Sequence, residues 1–304
     1  MAQGSRLVIY AALVGNGLIS ITKFAAAGIT GSAAMMSEGI HSVVDTGNQV
    51  LLLYGMKRAE RPANERFPFG HGKEVYFWCF VVAIMIFALG AGVSLYEGVH
   101  RTLHPEPVTN PIVNYVVLTA AMIFEGAAWY FAWREFKKSM RGRGIRETIR
   151  ASKDPTTFVV LFEDSAAMLG LLVALIGLIL SQALELPVLD GVASIGIGLI
   201  LAVTAIMLAI RTKSLLIGES ADPNIVADVR RRAASINAVE AVNQVLTLHM
   251  GPHHVLLTVT LDFQNDLPAG DMEQAIDRLT REIKECHQDI THVFIEAESK
   301  RAES

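Results

Sequence analysis

Hydrophobic and polar positions divide this 304-residue chain into two regimes. From Arg6 to about Arg211, long apolar runs alternate with short polar links. From about Lys213 to Ser304 the apolar residues are spaced as in a soluble domain. Six runs are long enough to cross a hydrocarbon core of roughly 30 Å, which takes about 20 helical residues. They cover residues 7–30, 33–54, 75–99, 112–133, 158–182 and 188–210. The first is expected to be a span and not a cleaved signal peptide. It is too long and too lightly charged ahead, and the short Gly31-Ser32 link leads straight into the second run.

In the tail, Asp222-Pro223 predicts a helix start, with Val226, Val229, Ala233 and Ile236 on one face. Residues 239–249 read as a strand, Met250-Gly251-Pro252-His253 as a turn, and 254–263 as a second strand. In that second strand Val255, Leu257, Val259, Leu261 and Phe263 alternate with Thr258, Thr260 and Asp262. A second amphipathic helix carries Met272, Ala275, Ile276, Leu279 and Ile283, and residues 292–296 close with a short strand. The predicted fold is therefore an all-α bundle of six transmembrane helices over residues 1–212, followed by a C-terminal α+β domain over 213–304. The order αββαβ makes the second domain ferredoxin-like in type.

Composition and charge sharpen this picture. The chain is 52% hydrophobic with a mean hydropathy of +0.39, too apolar for an ordinary soluble domain of its length. The link after the second run holds Lys57, Arg58, Arg61, Arg66 and Lys73. The link after the fourth holds Arg134, Lys137, Lys138, Arg141, Arg143, Arg146, Arg150 and Lys153. The links after the first and fifth runs hold no Lys or Arg, and the one after the third only Arg101. The positive-inside rule then predicts an integral multi-pass protein in a lipid bilayer, with both termini cytoplasmic, or matrix-facing in an organelle. A net charge of −4 gives no reason to expect a nucleic-acid partner. Cys79 falls in a span and Cys286 in the tail, so neither a disulfide nor a Cys-rich zinc site is expected.

Ionisable residues within the apolar runs carry the chemistry. One cluster is Glu38-Gly-Ile-His41-Ser-Val-Val-Asp45-Thr-Gly-Asn48, the other Phe162-Glu163-Asp164-Ser165. A charge in hydrocarbon costs at least about 2.5–3.5 kcal/mol, so it persists where it has a partner or a task. On a helix His41 and Asp45 lie one turn apart on one face, which Glu38 and Asn48 extend in either direction. Imidazole and carboxylate at that spacing form half a site for a divalent metal, and acidic residues of another helix can close it. The plainer reading is a hydrogen-bonded network that only holds helices together. Glu125, midway along the fourth run, is placed to assist protons or to pair with Lys23. Glu97 and Asp190 lie near run ends, where capping explains them. Ser94-x-x-x-Gly98 and Ser194-x-x-x-Gly198 permit close helix approach in the third and sixth runs.

Several segments together resemble the cation diffusion facilitators, a family of divalent-metal exporters. They are Ser37-Glu38-Gly39-Ile40-His41-Ser42-Val43-Val44-Asp45, Phe69-Gly70-His71-Gly72-Lys73, Tyr96-Glu97-Gly98, Asp190-Gly191-Val192-Ala193-Ser194 and Leu215-Leu216-Ile217-Gly218-Glu219. The wording around Asp45 and Phe162-Glu163-Asp164-Ser165-Ala166-Ala167 is similar to the branch holding the mitochondrial zinc-transporter-9-like proteins. The resemblance covers nearly the whole chain. It implies six membrane helices, a cytoplasmic αββαβ domain, a homodimer, and a metal site of two ligands on the second helix and two on the fifth. His41 and Asp45 take the first pair and Asp164 the later member of the second. The earlier member falls on Val160, which cannot bind metal. Glu163, a bidentate Asp164 or water can fill that place.

The resemblance thus implies Zn²⁺ as the transported substrate, with Mn²⁺, Fe²⁺ or Co²⁺ as alternatives, and no organic cofactor. Exchange against protons is the expected mechanism, because a ligand must lose its proton to bind metal. His41 is the natural coupling residue, since an unperturbed imidazole titrates near about pH 6.5. His71 belongs to a link that binds metal in some relatives, but Asn64, Arg66 and Phe67 do not reproduce an acidic partner set. Glu296 and Glu298 stand where zinc-binding relatives carry a His and an Asp, so a two-metal cluster in the tail is not expected despite His249, His253, His254, Cys286, His287 and His292. The competing class is a non-transporting sensor or heterodimer subunit. Enzyme activity is not expected, because no His-Glu-x-x-His, Gly-x-Ser-x-Gly or Walker-type loop occurs.

Overall fold

The computed structural model describes residues 3–140, 142 and 144–299. Arg141 and Arg143, counted in the second basic link, lie outside the described residues. The chain forms two compact units, one of residues 1–57 and 75–213, the other of residues 58–74 and 214–304.

The first unit is helical. Helix α1 (Gln3–Thr30) ends at Gly31, whose φ of +70° lets its N–H reach the Ala27 carbonyl at 2.8 Å. Helix α2 (Ala33–Ala59) begins two residues later. Helix α3 (Glu74–Met85) runs through a π-helical segment at Ile86–Ala91 into α4 (Gly92–Leu103), so one 30-residue rod spans Glu74–Leu103. Helix α5 (Pro111–Met140) is followed by a short α6 (Ile145–Ala151) in the basic link, where hydropathy predicts no helix. Helix α7 (Pro155–Ala183) starts on Asp154, whose carboxylate accepts from the Thr156 N–H at 3.0 Å, with Pro155 in the first turn. Helix α8 (Val188–Ile217) extends past the expected end at residue 210.

Among the described residues, four helices are long and apolar enough to cross a membrane: Glu74–Leu103, Pro111–Lys138, Phe158–Ala183 and Val188–Ile217. Helices α1 and α2 match them in length, at 28 and 27 residues, but α2 carries a polar stripe along its inner face. Polarity is inverted relative to a soluble protein. Ile112, Ile123, Phe124, Leu199, Val203 and Ile210 face outward, while Lys23, Glu38, His41, Asp45, Glu125 and Glu163 are buried. A surface of this kind suits hydrocarbon. Helices α4 and α8 approach closely through small residues. A Cβ on Gly98 would lie 2.6 Å from the Ile195 nitrogen, and one on Gly198 would lie 3.0 Å from the Leu95 nitrogen.

The second unit holds α9 (Pro223–Ala234), β1 (Val239–Gly251), β2 (His254–Phe263), α10 (Ala269–Cys286) and β3 (Ile290–Ala297). The sheet order is β1-β2-β3, antiparallel between the first two strands and parallel between the last two. Val255, Leu257, Val259, Leu261 and Phe263 point to the side covered by α9 and α10, where Val229, Ala233, Leu279 and Ile283 meet them. Each of the valine, leucine, isoleucine and phenylalanine side chains contributes about 1.5–3 kcal/mol on burial. β1 continues two residues beyond the expected end at 249, so the turn tightens to Pro252-His253.

The link between α2 and α3 belongs to this second unit. Phe69 sets its ring 5.3 Å from His292 and 6.4 Å from Phe294 on the sheet face opposite the helices. Gly72 lies against the β1–β2 turn, where a Cβ would come within 2.5 Å of the Met250 carbonyl oxygen. Hydropathy alone predicts only a polar link here.

Candidate functional site

The polar stripe of α2 faces the interior of the first unit. Glu38, His41, Asp45 and Asn48 are all buried, as their spacing of three and four residues requires of one helical face. His41 Nδ1 lies 3.4 Å from Asp45 Oδ1. Neither imidazole nitrogen, nor that carboxylate oxygen, has a hydrogen-bond partner among the described residues. Buried polar atoms are seldom left so, because each costs about 1–3 kcal/mol. Two adjacent donors of lone pairs, held one turn apart and otherwise unused, make a half-site for a cation.

Helix α7 supplies the facing groups. Glu163 is buried, and its Oε1 accepts from Asn48 Nδ2 at 2.9 Å, joining α7 to α2. Asp164 is the next residue, about 100° around the helix. Ser165 Oγ donates to the Leu161 carbonyl at 2.7 Å and accepts from Trp129 Nε1 at 3.0 Å, which ties this turn of α7 to α5. The four residues singled out in the sequence are therefore present as two halves. His41 and Asp45 are in contact, while Glu163 is held by Asn48. Among the described residues no three His, Cys, Asp or Glu side chains converge as one cluster for a metal ion.

Other polar groups brace the stripe. Lys23 of α1 donates to Glu38 Oε2 at 3.0 Å and to Ser42 Oγ at 2.9 Å, so among the described residues its hydrogen bonds run to α2. Asp190 of α8 caps α2 from outside. Its Oδ1 accepts from Ser32 Oγ at 2.6 Å and its Oδ2 from the Ala33 N–H at 2.5 Å. A carboxylate at a helix N-terminus satisfies orphan N–H groups and complements the dipole. Ser37 Oγ pairs with Ser194 Oγ, which donates to the Ser94 carbonyl at 2.9 Å and so links α2, α8 and α4. Sequence reasoning placed Asp190 at a run end but missed that it caps a different helix, since no spacing rule relates residues 157 positions apart.

In the second unit several histidines have local partners. His287 Nε2 lies 2.9 Å from Asp228 Oδ2, and His253 Nδ1 lies 3.3 Å from Asp289 Oδ1. His249 Nδ1 lies 3.3 Å from the Gly251 carbonyl, and His71 Nδ1 lies 3.2 Å from that of Pro62. Asp228 also accepts from Arg232 Nε at 2.7 Å and from the Arg231 guanidinium at 2.6 Å. Hydrogen bonds from Arg232 and then His287 hold its carboxyl below the ordinary carboxylate range.

Residues 9–217 match the family model for the cation efflux transmembrane domain, and residues 221–300 that for the cation efflux protein cytoplasmic domain. The mitochondrial proton-coupled zinc antiporter SLC30A9 of Xenopus laevis is 33% identical over 93% of this chain and 51% of its own length. Metal tolerance protein C4 of Arabidopsis thaliana is 30% identical over 87% of the chain and 58% of its own length. Magnetosome protein MamB of Magnetospira sp. strain QH-2 is 23% identical over 88% and 89% respectively. The chain thus spans about half the length of the first two of these relatives. With the transmembrane family model covering residues 9–217 and the cytoplasmic one most of the remainder, the chain belongs to the cation efflux, or cation diffusion facilitator, family.

Proposed function

We propose that this chain is a secondary transporter that exports a divalent cation, zinc foremost, in exchange for protons. The observation that carries the reading is the buried His41–Asp45 pair, 3.4 Å apart, in which neither ring nitrogen nor Asp45 Oδ1 makes a hydrogen bond among the described residues. The names of the SLC30A9 relatives, proton-coupled zinc antiporters, support the substrate and the coupling. His41, Asp45, Asp164 and Glu163 are assigned to the cation, with Asn48 orienting Glu163. In this reading α7 closes on α2 when the ion enters, which brings Asp164 to the half-site.

The chemistry of exchange follows from the donor set. Imidazole binds a metal only when neutral, and a carboxylate only when ionised, so the ion and protons compete for the same atoms. Protons arriving from one side displace the ion toward the other. One nitrogen ligand among oxygens accepts zinc and also Mn²⁺, Fe²⁺ or Co²⁺, with zinc preferred.

The arrangement proposed in the bilayer has six spans, α1 and α2 added to the four apolar helices, and homodimers joined through the second unit. The basic links at 57–73 and 134–153 then share the cytoplasmic or matrix side with the tail. No catalytic role is assigned. Val160, in place of a fourth ligand, favours one competing reading, a non-transporting subunit. Purified full-length protein in zinc-loaded liposomes decides between them: zinc movement by the protein alone supports transport, and its absence supports the subunit.

A further inference from the structure

Lys23 lies in the middle of α1, and it is the buried lysine or arginine among the described residues of the helical unit. Its ammonium crosses to α2, where it meets Glu38 Oε2 at 3.0 Å and Ser42 Oγ at 2.9 Å, both partners being buried. Glu38 stands one turn before His41 on the same face. Its second oxygen, Oε1, is buried without a hydrogen-bond partner among the described residues. That oxygen lies against Gly170 of α7, where a Cβ would collide with it. Glycine there leaves the carboxylate room to turn.

We infer that Lys23 is a positioning residue that sets metal affinity. Its ammonium is a tethered cation that holds Glu38 out of the coordination sphere of His41 and Asp45. An entering divalent ion then meets an imidazole–carboxylate pair and not a third carboxylate one turn away. A transport site must bind well enough to load and weakly enough to release. Holding one anion on a lysine meets the second requirement without removing the anion from the bundle. This inference rests on the site assigned under the transport reading.

The test compares zinc binding by detergent-solubilised full-length protein with zinc efflux from proteoliposomes, for wild type, K23M and K23M/E38Q. Freed Glu38 should tighten zinc binding in K23M about tenfold, equivalent to about 1.4 kcal/mol, while KM and kcat for efflux fall together. K23M/E38Q, which removes both charges, should return binding and kinetics toward wild-type values. A bystander ion pair would not produce that reversal. Binding in K23M no tighter than wild type, or equal effects in K23M and K23M/E38Q, overturns the inference. If K23M does not fold, K23A with K23A/E38Q gives the same comparison. Wild-type protein that binds zinc but moves none sinks the transport reading while the binding comparison still decides the role of Lys23.

Discussion

At the scale of single residues, a few atoms of α2 and α7 carry the proposed chemistry. Asp45→Ala and Asp164→Ala each delete an anion assigned to the ion, and each should remove most zinc efflux while leaving the protein folded. His41→Ala should do nearly as much. Asn48→Ala frees Glu163 from its 2.9 Å hydrogen bond and should weaken apparent zinc affinity on the order of tenfold, the cost of losing an orienting partner. His41→Asp should shift preference toward Mn²⁺, because an all-carboxylate site suits oxygen-seeking ions. It should also move the pH dependence of efflux down, since an unperturbed carboxylate titrates about two units below imidazole. Both readouts come from efflux with competing ions across a pH series, and unchanged ranking and profile would remove His41 from both roles. His41, Asp45 and Asp164 stood out in the sequence because ionisable groups inside apolar runs are costly. The links of Asn48 to Glu163 and Lys23 to Glu38 did not, because they join separate helices and depend on how those helices rotate.

At the scale of elements, two contacts hold the helices that carry the site. Asp190 caps α2 across a gap in sequence, and Asp190→Ala should cost roughly 1 kcal/mol of stability by orphaning the first N–H groups of α2. Gly98 packs within a Cβ's width of α8, so Gly98→Val should destabilise the α4–α8 contact by about 1–3 kcal/mol. Thermal melts in detergent check both, and a Gly98→Val protein with wild-type melting would show that the close approach is not needed. In the second unit, Asp228 gives an acid-sensitive contact. Its folded pKa is depressed, so its contribution is complete above the unfolded value of about 3.9 and is lost as pH falls through the folded value. The gap in melting temperature between wild type and Asp228→Asn should therefore narrow as pH drops below about 4. A constant gap would detach Asp228 from acid stability. Period-two alternation in 254–263 and the small-residue spacings were readable along the chain. Helix α6, the extension of α8 and the union of residues 58–74 with the sheet were not, because each is fixed by packing against distant residues.

At the scale of the whole molecule, charge asymmetry predicts that Lys137 and Arg230 lie on one side of the membrane. Single cysteines at these positions should react together with an impermeant reagent, and labelling from opposite faces would overturn both orientation and span count. In the proposed mechanism this chain alone moves zinc through the His41–Asp45 pair against protons. Its most direct test is zinc flux through purified full-length protein in liposomes with an imposed pH gradient, run beside Asp45→Ala. Wild-type protein should drive zinc toward the acidic side faster than protein-free liposomes, collapse part of the gradient as it does so, and lose both activities in Asp45→Ala. Zinc flux indifferent to the gradient, or equal in wild type and Asp45→Ala, would rule out proton-coupled transport through this pair.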